Sequence, residues 1–299
     1  MGRDEWRIVL TEVKRVARRV GRPGRRRRFP DWLIVAMFLW AVAHDRCQPW
    51  ACDRGHYTGA FRPRRLPSVS QFNRRVNGPR TRLILRRVHE ALAGPVTATA
   101  LSYLDGKPLP VGPASKDPDA AKGHVLGGWA RGYKLHAWMT EDRRVPLWCV
   151  APLNVDERPV ARLLVAQVGR LSERSLTLAD RNYDTHDLHK DLAARGGRLL
   201  VEPKGDPAGG RHPVTLRQMG PARRELLRVR AAHPGLVRMV HRHRVNAEGI
   251  LGNLCGYAGG LAPLPPWARR LYRVRRWVGG KIILYHARLR VRAAQKKVA

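Results

Sequence analysis

The sequence predicts a mixed α/β protein: a mixed five-stranded sheet flanked by helices, behind an N-terminal all-α region. Three observations carry that expectation. Over residues 1–95, apolar side chains recur at three- and four-residue steps, the period of an amphipathic helix. After Gly94-Pro95 the period shortens to strand-like runs. Those runs fall in the order three strands, helix, strand, helix, strand, helix, which packs as helices on the faces of a sheet.

The elements follow in order. Trp6, Val9, Leu10, Val13, Val16, Ala17 and Val20 line one face of a first helix, with Arg and Lys between them. Gly21 to Pro30 is a basic breaker, and Asp31 caps a second helix that is apolar all round. Gly55 to Pro67 reads as a loop. Ser68 is an N-cap for a short helix to Val76, Asn77-Gly78-Pro79 forces a turn, and a further helix runs from Thr81 to Ala93. Helix, tight turn and helix, surrounded by arginines that include Arg74 and Arg75, form a helix-turn-helix-like DNA-binding hairpin, although any basic helical hairpin shares that pattern. Strands are expected at 100–104, 133–139, 146–151, 175–179 and 198–201, with helices at 158–171 and 187–195. Pro203 to Gly235 reads as a small basic insertion, Leu236 to Cys255 as a helix, and residues 256–299 as a basic tail with a terminal helix from Gly280. The domains expected are therefore 1–95, 96–255 and 256–299.

Composition narrows the partners. Lys and Arg number 58 against 23 Asp and Glu, a formal charge of +35, and Arg supplies 48 of the 58. So basic a chain repels itself unless a polyanion compensates, and nucleic acid is the natural one. Hydrophobic residues make up 43%, enough for a core, which excludes a wholly disordered basic tail protein. The four cysteines show no Cys-x-x-Cys pair and no His at zinc-finger spacing, which disfavours a disulfide scaffold or structural zinc and suits a reducing cytosol. The apolar run Trp32 to Val42 is too short to cross a bilayer and reads as a buried helix rather than an export signal.

In a chain this poor in acids each carboxylate is informative. Asp105 is expected at the end of the first strand, before Gly106, and Asp180 at the end of the fourth. Ligands of such sheets gather outside the carboxyl ends of the strands. If the two strands are neighbours, the carboxylates face each other, and a divalent cation relieves their repulsion. Oxygen-only donors suit magnesium or manganese. After Asp206 only Glu225 and Glu248 remain. Glu225 sits among arginines in the expected insertion. Glu248 lies on a helix whose His241, Arg244, Glu248 and Cys255 share a face, so elimination makes it the third ligand. Two ions held by Asp105, Asp180 and Glu248 could clamp a phosphodiester displacement.

The segments Tyr103-Leu104-Asp105-Gly106-Lys107-Pro108, Lys116-Asp117-Pro118-Asp119-Ala120, Gly132-Tyr133-Lys134-Leu135-His136 and Leu178-Ala179-Asp180-Arg181-Asn182-Tyr183-Asp184 resemble the catalytic region of bacterial DDE-type insertion-sequence transposases. The resemblance spans Leu101 to Cys255. It implies a ribonuclease-H-like core, cutting of DNA at element ends, and strand transfer with two Mg²⁺ or Mn²⁺ ions. It implies double-stranded DNA as partner (terminal inverted repeats and target DNA), a homodimer when two ends are synapsed, and a bacterial cytoplasmic, nucleoid-associated protein. One branch of the family carries Tyr, Arg, Glu and Lys at steps of three, four and seven. Here Arg244 and Glu248 match, while His241 and Cys255 stand where Tyr and Lys would be. Arg244 is placed either for an ion pair with Glu248 or for a DNA phosphate. Lys134 and His136 share a strand face that either approaches DNA or meets solvent. A non-catalytic basic nucleic-acid-binding protein, or a nuclease or resolvase of the same fold, is the alternative reading.

Overall fold

The computed structural model describes residues 1–21, 27–57, 59, 61–96, 99–203, 220–256 and 259–298. The chain divides into two compact units, Pro95–Asn253 and Met1–Gly94 with Leu254–Ala299.

Unit Pro95–Asn253 holds a six-stranded mixed sheet of β1 (Leu101–Pro110), β2 (Ala121–Val125), β3 (Gly128–Thr140), β4 (Leu147–Pro152), β5 (Leu176–Ala179) and β6 (Arg198–Leu200). The order is β2-β3-β1-β5-β6. The long β3 pairs β1 along one edge, while β2 takes Gly128–Gly132 and β4 takes Tyr133–Trp138 on the other. β5 and β6 then add in parallel. An antiparallel meander of β1, β3 and β4 followed by two parallel strands, each reached through a helix, is the ribonuclease-H-like core expected. β2 is the strand beyond the five, joined to β3 by a two-residue turn, Leu126-Gly127, where Gly127 (φ 88°) and Gly128 (φ 140°) take backbone angles costly for other residues.

The crossovers are α5 (Glu157–Ala166) and α6 (His186–Ala193). Their apolar stripes, Ala161, Leu164 and Val165 with Leu188 and Leu192, bury against Leu104, Trp138, Ala179 and Leu199 on one face of the sheet. Full burial of a Leu or Val side chain contributes roughly 1.5–3 kcal/mol, so this face anchors the core. Three further helices follow: α7 (Pro221–Ala232), α8 (Pro234–Arg242) and α9 (Val245–Cys255). Residues 204–219, most of the first half of the expected insertion, lie outside the described residues. Its second half is helical and tied down: Arg223 of α7 donates to both oxygens of buried Asp184 (2.9 and 2.5 Å), which also bonds His189 at 3.1 Å.

In the other unit, α1 (Arg3–Arg19), α2 (Asp31–Ala43), α4 (Pro79–Ala93) and α10 (Leu271–Val298) pack together, with the short α3 (Val69–Val76) beside α2. The Ser68 hydroxyl accepts the Gln71 N–H at 3.3 Å in a capping box, as the sequence suggested. Asp31 is not a cap: it is the first helical residue of α2, nearly buried, and it accepts from Arg75, Arg80 (2.8 Å) and Arg27 (3.1 Å). The terminal helix starts nine residues earlier than expected. It runs through Gly279 and Gly280; a Cβ on Gly280 would stand 3.1 Å from Val42, so the missing side chain lets α10 approach α2. Among the described residues no helix is long and apolar enough to cross a membrane.

Candidate active site

The sheet brings Asp105 and Asp180 together. The parallel register of β1 and β5 runs from Leu101↔Leu176 to Leu104↔Ala179, so the next residue on each strand is one of the two aspartates. Leu104 and Ala179 both enter the α5–α6 core, and strand alternation turns Asp105 to the opposite face. Asp105 is not the end of its strand, as the sequence suggested. β1 continues to Pro110 because β3 pairs its whole length, and Asp105 marks where its parallel partner leaves. The edge freed there accommodates Pro108 and Pro110, which have no N–H to offer.

Each carboxylate is only partly satisfied. The Asp105 Oδ1 accepts the Gly106 N–H at 2.8 Å, and the Asp180 Oδ1 accepts the Asn182 N–H at 2.8 Å. Burial pushes the Asp105 carboxyl up to about 6; the Gly106 bond and Arg244 oppose that, while Asp180 and Glu157 add to it. Asp180 is raised for the same first reason, with Glu157 again adding to it. Two half-buried acids that hold protons above their ordinary range are short of positive charge.

Glu157, a residue the sequence reading did not single out, is the third acid in this field. It opens α5, whose N-cap Asp156 accepts the Arg158 N–H at 2.9 Å. Its carboxylate accepts from the Lys134 Nζ at 2.6 Å, both side chains being mostly buried (19% and 14% exposed). A Cβ on Gly106 would meet the Glu157 Oε1 at 3.2 Å, so the glycine after Asp105 is what admits this carboxylate. Buried Tyr183 keeps its proton well above the ordinary tyrosine range, through burial first and then the charges of Glu157, Asp105 and Asp180. In sequence, Asp156-Glu157 looks like ordinary acid placement at a helix start, and only the register of Lys134 could have hinted otherwise.

Glu248 approaches from another helix. It lines a cavity of about 490 Å³ together with Asp180, Glu202, His241 and Arg244. It is exposed and bound to Arg244 at 2.7 Å, one turn before it. The continuous helix expected over 236–255 is instead two: between α8 and α9 the backbone bonds close over three residues, as in Arg244 N–H to His241 C=O at 2.9 Å. His241, Arg244 and Glu248 therefore share a cavity rather than a single helix face. His241 donates to the Ala179 carbonyl at 3.3 Å, directly before Asp180, and Cys255 is buried at the end of α9.

The basic residues expected at DNA fall into separate groups. Arg74 is exposed. Arg75 is not available: its guanidinium is spent on Asp31 and the Phe29 carbonyl. Lys134 is held by Glu157. His136 is not a contact either: it is 1% exposed, and burial lowers its imidazole to about 4, so it is neutral and packed inside.

Carboxylate oxygens at adjacent strand positions suit a hard divalent cation. Among the described residues, however, no three candidate ligands stand close enough to hold one. Glu248 faces Arg244, so the donor pair is formed and the full set is not assembled.

Residues 99–247 match the family described as transposase DDE domain. The class defined by the sheet and its paired aspartates is thus given a family: this part of the chain belongs to the DDE transposases. The match covers Asp105 and Asp180 and stops one residue before Glu248. No curated protein matches. A cryo-EM structure of a piggyBac transposase synaptic complex with hairpin DNA aligns at 12% identity over 66% of this chain, with a TM-score of 0.33, a likeness too slight to define the fold. This chain spans about half (49%) of that one.

Proposed function

We propose that this chain is a DNA transposase that binds the ends of an insertion element, cuts the strands there and joins them to target DNA. The observation that carries the reading is the register: β1 and β5 deliver Asp105 and Asp180 as neighbours, in a domain of the matching family. Asp105, Asp180 and Glu248 would hold two Mg²⁺ or Mn²⁺ ions. Such ions, when bound, supply charge to the scissile phosphate and favour ionisation of the attacking hydroxyl. The chain's own residues set up that site. The two aspartates follow neighbouring strand positions, and their carboxyls are both raised. Arg244 holds Glu248 one helical turn away, leaving it free to exchange a guanidinium partner for a cation. His241 braces the Ala179 carbonyl and so the backbone just before Asp180. Arg74, with the exposed arginines of α4, would follow DNA phosphates, as double-stranded DNA requires. A homodimer acting in the bacterial cytoplasm completes the proposal, because two ends must be held together.

The test is cleavage of a DNA fragment carrying the element's end, with Mg²⁺, by the wild-type chain and by Asp105→Asn, Asp180→Asn and Glu248→Gln. The account expects nicked and joined products from the wild type, and variants that bind but do not cut. Salt-sensitive binding with no cutting by the wild type would favour the second reading, a non-catalytic DNA-binding protein, which the Glu248–Arg244 pair supports.

A further inference from the structure

The unit formed by Met1–Gly94 and Leu254–Ala299 contains a cavity of about 570 Å³ beside α2, α3 and α10. That lies within the roughly 300–1,000 Å³ of small-ligand sites. Three arginines, Arg46, Arg273 and Arg276, line it, and no acidic side chain does. Arg276 is half-buried, and its hydrogen bonds go to neutral oxygens: the Asn77 Oδ1 at 2.5 Å and the Val76 carbonyl at 3.4 Å. Withdrawal from water pulls its guanidinium down to about 10, and among the described residues no carboxylate bonds it. Guanidinium groups withdrawn from water are ordinarily paired with an anion.

Two tryptophans supply the rest. Trp277 is 5% exposed, and its indole N–H has no acceptor among the described residues. Trp267 is 39% exposed and meets Trp277 edge-on, ring centres 6.3 Å apart at 86°. The cavity thus presents an exposed aromatic ring, Trp267, and a guanidinium that no carboxylate neutralises among the described residues. The ligand these ask for is flat and anionic, which describes a nucleotide. The unit carries 33 Lys and Arg against 7 Asp and Glu, so a DNA strand is the form in which a nucleotide would reach it.

We propose that this cavity receives one unpaired nucleotide of a DNA strand, its base against Trp267 and its phosphate on Arg276, with Arg46 and Arg273 on the flanking phosphates. This goes beyond the catalytic reading and holds whether or not the core cleaves DNA.

Cys47 also lines the cavity and serves as a reporter. Its alkylation in the full chain is followed by mass spectrometry, with Cys149 as the reference. A short single-stranded thymidine oligonucleotide should slow alkylation of Cys47 and leave Cys149 unchanged. Trp267→Ala, an exposed position that should fold normally, should weaken that protection about tenfold, the stacking of one base. Arg276→Gln should weaken it too. Protection by inorganic polyphosphate equal to that by the oligonucleotide would overturn the proposal, as would unchanged protection in Trp267→Ala. Protection by thymidine monophosphate without protection by the oligonucleotide would make this a free-nucleotide site and overturn the strand-bound form.

Discussion

Acids are used in opposite ways in the two units. The unit built from Met1–Gly94 and Leu254–Ala299 carries a net charge of +26, with 7 Asp and Glu, whereas Pro95–Asn253 carries +9 with 16. In the first, Asp31 sits among three arginines. Burial alone would raise its carboxyl, but hydrogen bonds from Arg80 and Arg75 and the charges of Arg75 and Arg27 outweigh that and hold it below the ordinary value. In the second, Asp105 and Asp180 are half-buried near each other and near Glu157, and both carboxyls are raised. An acid surrounded by cations stabilises its fold. Acids placed together destabilise theirs, and such an arrangement is kept where a ligand is to supply the missing charge.

Four predictions break or sharpen that contrast. Asp105→Asn should lower cleavage by at least about 10²–10³-fold, since a preorganised charge partner of the reacting phosphate is lost, while DNA affinity in a gel-shift assay stays within about twofold. Unchanged cutting would remove Asp105 from the site. Asp31→Ala should do the reverse. Three arginines lose their partner, so thermal unfolding should show a loss of roughly 3 kcal/mol, with cleavage below the transition unaffected. A silent Asp31→Ala would mean the ion cluster is ornamental.

The third prediction concerns pH. Asp105 holds its proton up to about 6 when folded and to 3.8 when unfolded. Between these values the folded state binds more protons, so its stability falls as pH rises and the full cost is present above about pH 6. In chelated buffer, Asp105→Asn should therefore match the wild type below pH 4 and exceed it above pH 6, by on the order of 2 kcal/mol. The sign at Asp31 is opposite: its folded value is depressed, so its contribution is present at neutral pH and is lost as pH falls below 4. A flat difference between Asp105→Asn and wild type across pH 4–6 would count against the buried acid pair. The smallest effect is expected at Arg74, where Arg74→Ala should weaken DNA binding evenly across sequences and reduce the salt slope by about one.

Much of this was legible in the sequence, for identifiable reasons. Asp105 and Asp180 stood out because each ends an apolar run in an acid-poor chain, and strand adjacency then brings them together without further information. β2 was hidden because Ala121–Val125 carries no apolar alternation: its one buried position is Gly123, pressed against Leu153. Glu157 was hidden behind its neighbour, since Asp156-Glu157 at a helix start is what any α-helix prefers. The placements of Arg75 and His136 were hidden for one physical reason: composition reports charge and polarity, whereas only packing reports that Asp31 pairs the first and that the second is buried. The step between α8 and α9 leaves no sequence mark, because a run of His and Arg continues a helix as well as it leaves one.

The central claim is that Asp105, Asp180 and Glu248 converge on divalent cations although Glu248 faces Arg244 without them. Titration of Mn²⁺ into the metal-free chain, followed by electron paramagnetic resonance, tests it most directly. The account predicts saturable binding that Asp105→Asn and Glu248→Gln each weaken at least tenfold, and that Glu202→Gln, on the same cavity, leaves unchanged. Binding as tight in Glu248→Gln as in the wild type would contradict it.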